Sequence, residues 1–135
     1  MIAGSNWKNI VSMKRPIFQK ELSAIISNSL VSINILRDQN KSSHNMRTFE
    51  IPAMGGLMLT TRSKEQSFFF RENKECLMFS GAKELQKKID YIIKNKKKIK
   101  ELKNSAYLKS RKHSYINRAK YLIKKIFVNE KNWIF

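Results

Sequence analysis

A chain of 135 residues with 41% hydrophobic content is sized for one modest core rather than two complete domains. Its 28 Lys and Arg against 10 Asp and Glu give a net charge of +18, which attracts polyanions such as nucleic acid, anionic lipid or nucleotide phosphate. A lone cysteine, Cys76, excludes an intrachain disulfide and cysteine-based zinc spacing, and no uncharged apolar run approaches the roughly 20 residues of a spanning helix.

In chain order, residues 1–3 are followed by a turn at Gly4, Ser5 and Asn6, and residues 18–30 carry Phe18, Leu22, Ile25 and Ile26 at helical spacing. Residues 31–36 alternate and are β-branched, which predicts a strand. The polar stretch 37–43 predicts a loop, with Ser43 as N-cap of a helix beginning near His44. Pro52 shortens or kinks that helix, Gly55 and Gly56 stop it, and residues 57–61 return as a second strand.

Residues 62–74 read as a charged loop around Phe68, Phe69 and Phe70, and residues 76–79 as a short strand. Ser80 is then placed to cap one helix with Leu85, Ile89, Ile92, Ile93, Ile99 and Leu102 as its apolar positions. A last helix carries Tyr115, Ala119, Leu122, Ile123 and Ile126. Alternation of strand and helix predicts an α/β fold, a Rossmann-like parallel sheet with crossover helices.

The charge is concentrated, with 15 Lys or Arg against Asp90 and Glu101 between residues 86 and 125. Lysines on solvated helix faces account for that pattern; a basic nucleic-acid-binding protein using these helices, with Tyr91, Tyr107 and Tyr115 as added contacts, is the alternative function. The lone thiol and the absence of a leader pattern predict a cytoplasmic chain whose basic face is suited to an anionic membrane surface at the inner face.

In parallel sheets ligands settle beyond the carboxyl ends of the strands, which puts the stretch HNMRTFEIPAMGG, residues 44–56, in view. A helix starting at His44 would set Arg47 and Glu50 on one face near an entrance whose first-turn amides favour phosphate. Glu50 suits a vicinal diol and Arg47 a phosphate or the orientation of Glu50; on spacing alone, an ordinary helix-surface ion pair is the simpler account of both. His44 and His113 are the only histidines, and His113 reads as structural.

The wider pattern, VSINILRDQNKSSHNMRTFEIPAMGGLMLTT, then FFFRENKECLMFSGAKELQKKIDYIIKN and HSYINRAKYLIKKI, resembles the C-terminal domain of spore maturation protein-type glycosyltransferases, relatives of the group 1 enzymes. Asn45, Arg47, Phe49, Glu50, Ala53, Gly55 and Gly56 carry the resemblance most strongly, with Gly4 to Trp7 similar to a strand-end motif. It implies a partial C-terminal domain of a two-domain GT-B fold: residues 1–126 as the donor nucleotide-binding domain lacking its first strand, and 127–135 as a tail. The implied ligand is a nucleotide-diphosphate sugar, bound by Ser43, His44, Asn45, Arg47, Glu50 and Gly55. Glu50 would meet the ribose, and Gly55 would let the backbone turn tightly. No cofactor or metal is implied, which accords with the absence of an Asp-x-Asp pair.

The position where group 1 relatives often carry a second glutamate near the sugar is Ser42. No catalytic residue is assigned, and the resemblance implies a missing or separate N-terminal acceptor-binding domain, without which the chain would be inactive. Trp7, Trp133 and the apolar end of NEKNWIF fit a surface that docks against such a partner.

Overall fold

The computed structural model describes residues 17–129, so the expected strand at 1–3, its turn, Trp7 and Trp133 lie outside the described residues. Within them, three short strands, β1 (Ser32–Asn34), β2 (Met58–Thr61) and β3 (Leu77–Phe79), form a parallel sheet in that order. Ser32 aligns with Met58 and Leu59 with Leu77. Helices α1 (Gln19–Asn28), α2 (Arg47–Ala53), α3 (Lys64–Phe69), α4 (Ala82–Lys94), α5 (Lys96–Arg111) and α6 (Tyr115–Asn129) complete the α/β architecture.

Side chains alternate across a strand, so the middle of the sequence divides between two faces. Leu57, Leu59, Leu77 and Phe79 pack with Ile92, Ile99 and Leu102 of α4 and α5. Met58, Cys76 and Met78 take the opposite face, with Ile26 of α1, Ile51 of α2 and Phe70. The central strand is therefore covered on both sides, as a parallel strand requires.

The glycines after α2 divide two tasks. Gly55 has φ +76°, a left-handed conformation that a Cβ disfavours, and the Gly56 N–H donates to the Ile51 carbonyl at 2.9 Å, closing a Schellman turn. At Gly56 the need is space: a Cβ there would stand 2.4 Å from Ile26 Cγ2 and 3.1 Å from the Ile51 carbonyl oxygen. The expected tight turn belongs to Gly55, and the close approach of α1 to the helix–strand junction belongs to Gly56.

Three local expectations are corrected. Residues 62–74 are not a continuous loop: Ser63 caps α3, its hydroxyl oxygen accepting from the Gln66 N–H at 3.1 Å. Phe68 at the end of that helix is exposed, whereas Phe70 just beyond it is fully buried. The single helix expected after Ser80 is two, because Asn95 leaves helical geometry and its side-chain amide donates to the Tyr91 carbonyl at 2.8 Å. Ser80 does not cap it; Gly81 is the N-cap, and the Ser80 N–H donates to Glu84 Oε2 at 2.8 Å.

Lys103 of α5 donates from Nζ to the carbonyls of Ser29 at 2.6 Å and Ser27 at 3.2 Å, tying α5 to the carboxyl end of α1. Among the described residues, no helix is long and apolar enough to cross a membrane.

Candidate functional site

The site is assembled beyond the carboxyl ends of β1 and β2, where two connections are laced together. Asn34 at the end of β1 and Asn45 before α2 exchange side-chain amide hydrogen bonds of 3.0 and 2.9 Å. The Ser63 hydroxyl donates to the Ser43 carbonyl at 2.7 Å, and the Ser43 hydroxyl donates to Glu65 Oε2 at 2.9 Å. Glu65 also meets His44 Nδ1, and hydrogen bonds from His44 and Ser43 hold its carboxyl below the usual carboxylate range.

This lacing changes the expected helix start. Ser43 is not the cap, since its hydroxyl goes to Glu65 and α2 begins at Arg47. Asn45 takes the capping position in effect, accepting from the Thr48 N–H at 3.3 Å through Oδ1. Phe49 and Glu50 both donate their N–H groups to the Met46 carbonyl at 3.1 Å, so this short helix offers fewer free first-turn donors than its sequence suggests.

A cavity of about 500 Å³ opens between α2 on one side and α5, the turn after it and α6 on the other. His44, Asn45 and Glu50 line it, whereas Ser43, Arg47 and Gly55 do not. Arg47 reaches the cavity through Glu50: its Nη1 donates to Glu50 Oε2 at 2.9 Å. Glu50 Oε1 has no protein hydrogen bond among the described residues, and both side chains remain part-exposed. Gly55 acts at the far end of α2, where it turns the chain.

The opposite wall was missed by sequence reasoning. Tyr107 and Arg111 of α5, His113 and Ser114 of the turn, and Tyr115 and Arg118 of α6 all face the cavity. His113 packs its ring against Phe49 at 5.2 Å and Phe69 at 5.5 Å, and His44 meets the same two rings at 5.6 and 4.9 Å. The Arg118 guanidinium lies 4.3 Å over the Phe49 ring. Burial lowers the His113 pKa, and the positive charges of Arg118, Lys109 and Lys112 lower it further.

One signal did mark this wall. Of the 15 basic residues between 86 and 125, only Arg111 and Arg118 are arginines, and both face the cavity. A guanidinium offers a planar fork matched to phosphate oxygens, which lysine does not.

Outside the cavity lining, Arg62 pairs with Glu72 and with Glu84 Oε1 at 2.6 Å, and Lys88 joins Glu72 at 3.0 Å. Burial pushes the Glu72 carboxyl up, but the hydrogen bonds from Arg62 and Lys88 outweigh it and hold it below its ordinary value. Among the described residues, no group of three or more His, Cys, Asp or Glu is placed to hold a metal ion.

The cavity thus presents a carboxylate with one oxygen held and one open, two guanidiniums across from it, and aromatic surfaces of Phe49, Tyr107 and Tyr115. Such a set can accept hydrogen bonds from hydroxyls, neutralise phosphate and stack on a ring. A family model described as glycosyl transferase-like matches residues 1–124. No curated protein and no solved structure matches the chain.

Proposed function

The chain belongs to the glycosyl transferase-like family, and on that premise we propose that residues 1–126 are the donor-binding half of a two-domain GT-B glycosyltransferase of the spore maturation protein type. In this reading the cavity holds a nucleotide-diphosphate sugar, and a separate acceptor-binding domain completes the enzyme. Transfer by the chain alone is not part of the proposal, and no catalytic base is assigned.

The observation that carries the reading is the arrangement of Glu50. Arg47 binds one of its carboxylate oxygens, the other has no hydrogen-bond partner among the described residues, and the side chain lines the cavity together with Arg111 and Arg118. A ribose diol donates to a carboxylate, and a diphosphate accepts from guanidiniums, so one nucleotide satisfies both walls. No metal has to bridge the phosphates where two arginines supply the charge.

Ligand-observed NMR with UDP, GDP, ADP and a short single-stranded DNA, at moderate and high salt, tests this on the wild type and Glu50→Ala. Binding of one nucleotide that persists at high salt and weakens about tenfold or more in the variant supports the donor site. DNA binding that collapses with salt and ignores Glu50, with no nucleotide bound, would overturn it.

A further inference from the structure

Every described side chain of α6 from Tyr115 to Phe127 is exposed, including Leu122, Ile123, Ile126 and Phe127. Wound at about 3.6 residues per turn, Tyr115, Ala119, Leu122 and Ile126 fall along one line with Ile116, Ile123 and Phe127 beside them, a stripe roughly 140° wide. Lys120 and Lys124 flank the stripe on one edge, and Arg118 and Lys125 on the other; α6 contains no acidic residue.

We propose that α6 is a membrane-surface helix, which lies in the headgroup region of an anionic bilayer with this apolar stripe inserted and its flanking basic residues on lipid phosphates. The charge pattern selects this occupant. A second copy of the same chain would set four basic residues against four more, and a nucleic acid would use the cations while leaving Leu122, Ile123, Ile126 and Phe127 in water. An anionic lipid surface satisfies both edges and the stripe together, because long basic side chains reach headgroups while their stems lie along the acyl boundary. The helix has 15 residues and lies along the surface rather than crossing it.

Because Tyr115 and Arg118 at its start also line the cavity, α6 docked in this way holds the cavity within a helix length of the headgroups. Leu122, Ile123, Ile126 and Phe127, which carry the insertion, lie outside the cavity lining, so the surface is tested apart from the donor-site reading.

The test is flotation of the full chain with vesicles of phosphatidylcholine alone and of equal parts phosphatidylcholine and phosphatidylglycerol, with single-stranded DNA binding measured alongside. The wild type should float with the anionic vesicles only. Leu122→Ser combined with Ile126→Ser keeps every charge and touches no buried residue; it should weaken flotation about tenfold or more and leave DNA binding unchanged. A second measurement needs no loss of affinity: a cysteine introduced by Ile126→Cys and labelled with an environment-sensitive dye should shift to the blue on anionic vesicles, with buried Cys76 unlabelled. Flotation equal to wild type in the double variant, no flotation of the wild type, or no dye shift would each overturn the proposal.

Discussion

Asn34 and Asn45 hold each other by two side-chain amide hydrogen bonds, and this pair fixes the start of α2 to the end of β1. Asn34 is 4% exposed, so its amide has no access to compensating water. Asn34→Ala removes the only partner of the Asn45 side-chain amide N–H among the described residues, while Asn45 Oδ1 keeps the Thr48 N–H, and is expected to cost about 1 kcal/mol in urea unfolding. Asn34→Asp should be no better, because a carboxylate cannot donate to Asn45 Oδ1. Unchanged stability in both variants would show that the pair does not anchor α2.

Gly55→Ala and Gly56→Ala should fail for different reasons. Alanine at Gly55 meets no atom within 4 Å but is forced into φ +76°, a cost of about 1 kcal/mol. Alanine at Gly56 collides with Ile26 Cγ2, an overpacking cost of about 1–3 kcal/mol. Ile26→Ala removes that atom, so the Gly56→Ala, Ile26→Ala double variant should lose less stability than the two single losses added. Strict additivity would place the strain elsewhere.

The parts of the fold governed by a local period were legible in the sequence. Residues 57–61 read as a returning strand, which is β2, and the paired glycines predicted the end of α2. Helix α3 was not legible, because Arg62, Lys64, Glu65, Arg71 and Glu72 look like loop composition and the Ser63 cap is a single hydrogen bond among them. The break at Asn95 was hidden for a related reason: Ile92 and Ile99 keep helical spacing across it, and both reach the same core cluster. Of the site, the α2 wall was readable because its residues are consecutive. Tyr107, Arg111, His113 and Arg118 are brought to it by the packing of α5 on α2, which no local pattern records.

Cys76 is fully buried beneath the sheet, and burial together with Glu72 and Glu75 pushes its thiol up to about 12. Thiolate is the reactive form, so a disulfide reagent at pH 8 should leave the native chain unmodified and react at once in denaturant. Rapid reaction without denaturant would mean that the core face formed by Met58, Met78 and Phe70 opens readily.

The two walls of the cavity should separate in ligand affinity. If Glu50 receives a ribose diol, Glu50→Gln should erase most of the preference for a nucleoside diphosphate over its 2′-deoxy counterpart. Arg118→Gln should instead erase much of the preference for diphosphate over monophosphate. Each loss is expected at roughly tenfold, the scale of one charge-assisted hydrogen bond. Calorimetric titration of the three ligands reads both ratios, and a variant that weakens all ligands equally would assign its side chain a structural part only.

His113 supplies the pH dependence. Its folded-state pKa is lowered from 6.5 by burial among Phe49, Phe69 and Phe70 and by the cations of Arg118, Lys109 and Lys112, so the unfolded chain takes up the proton first as pH falls. Stability rises with pH wherever the unfolded state binds more protons, so this contribution is complete above about pH 6.5 and is lost as pH falls through that value toward the lower folded one. Glu65 and Glu72 are lowered from 4.5, and their contributions fade only at more acid pH, which keeps the two windows apart. Urea midpoints between pH 7.5 and pH 5 should therefore decline for the wild type and stay nearly level for His113→Gln. The same decline in the variant would assign the titration to another group. A bound diphosphate should reverse the sign locally: anionic oxygens beside His113 favour its protonated form, so nucleotide affinity should rise as pH falls through the same window.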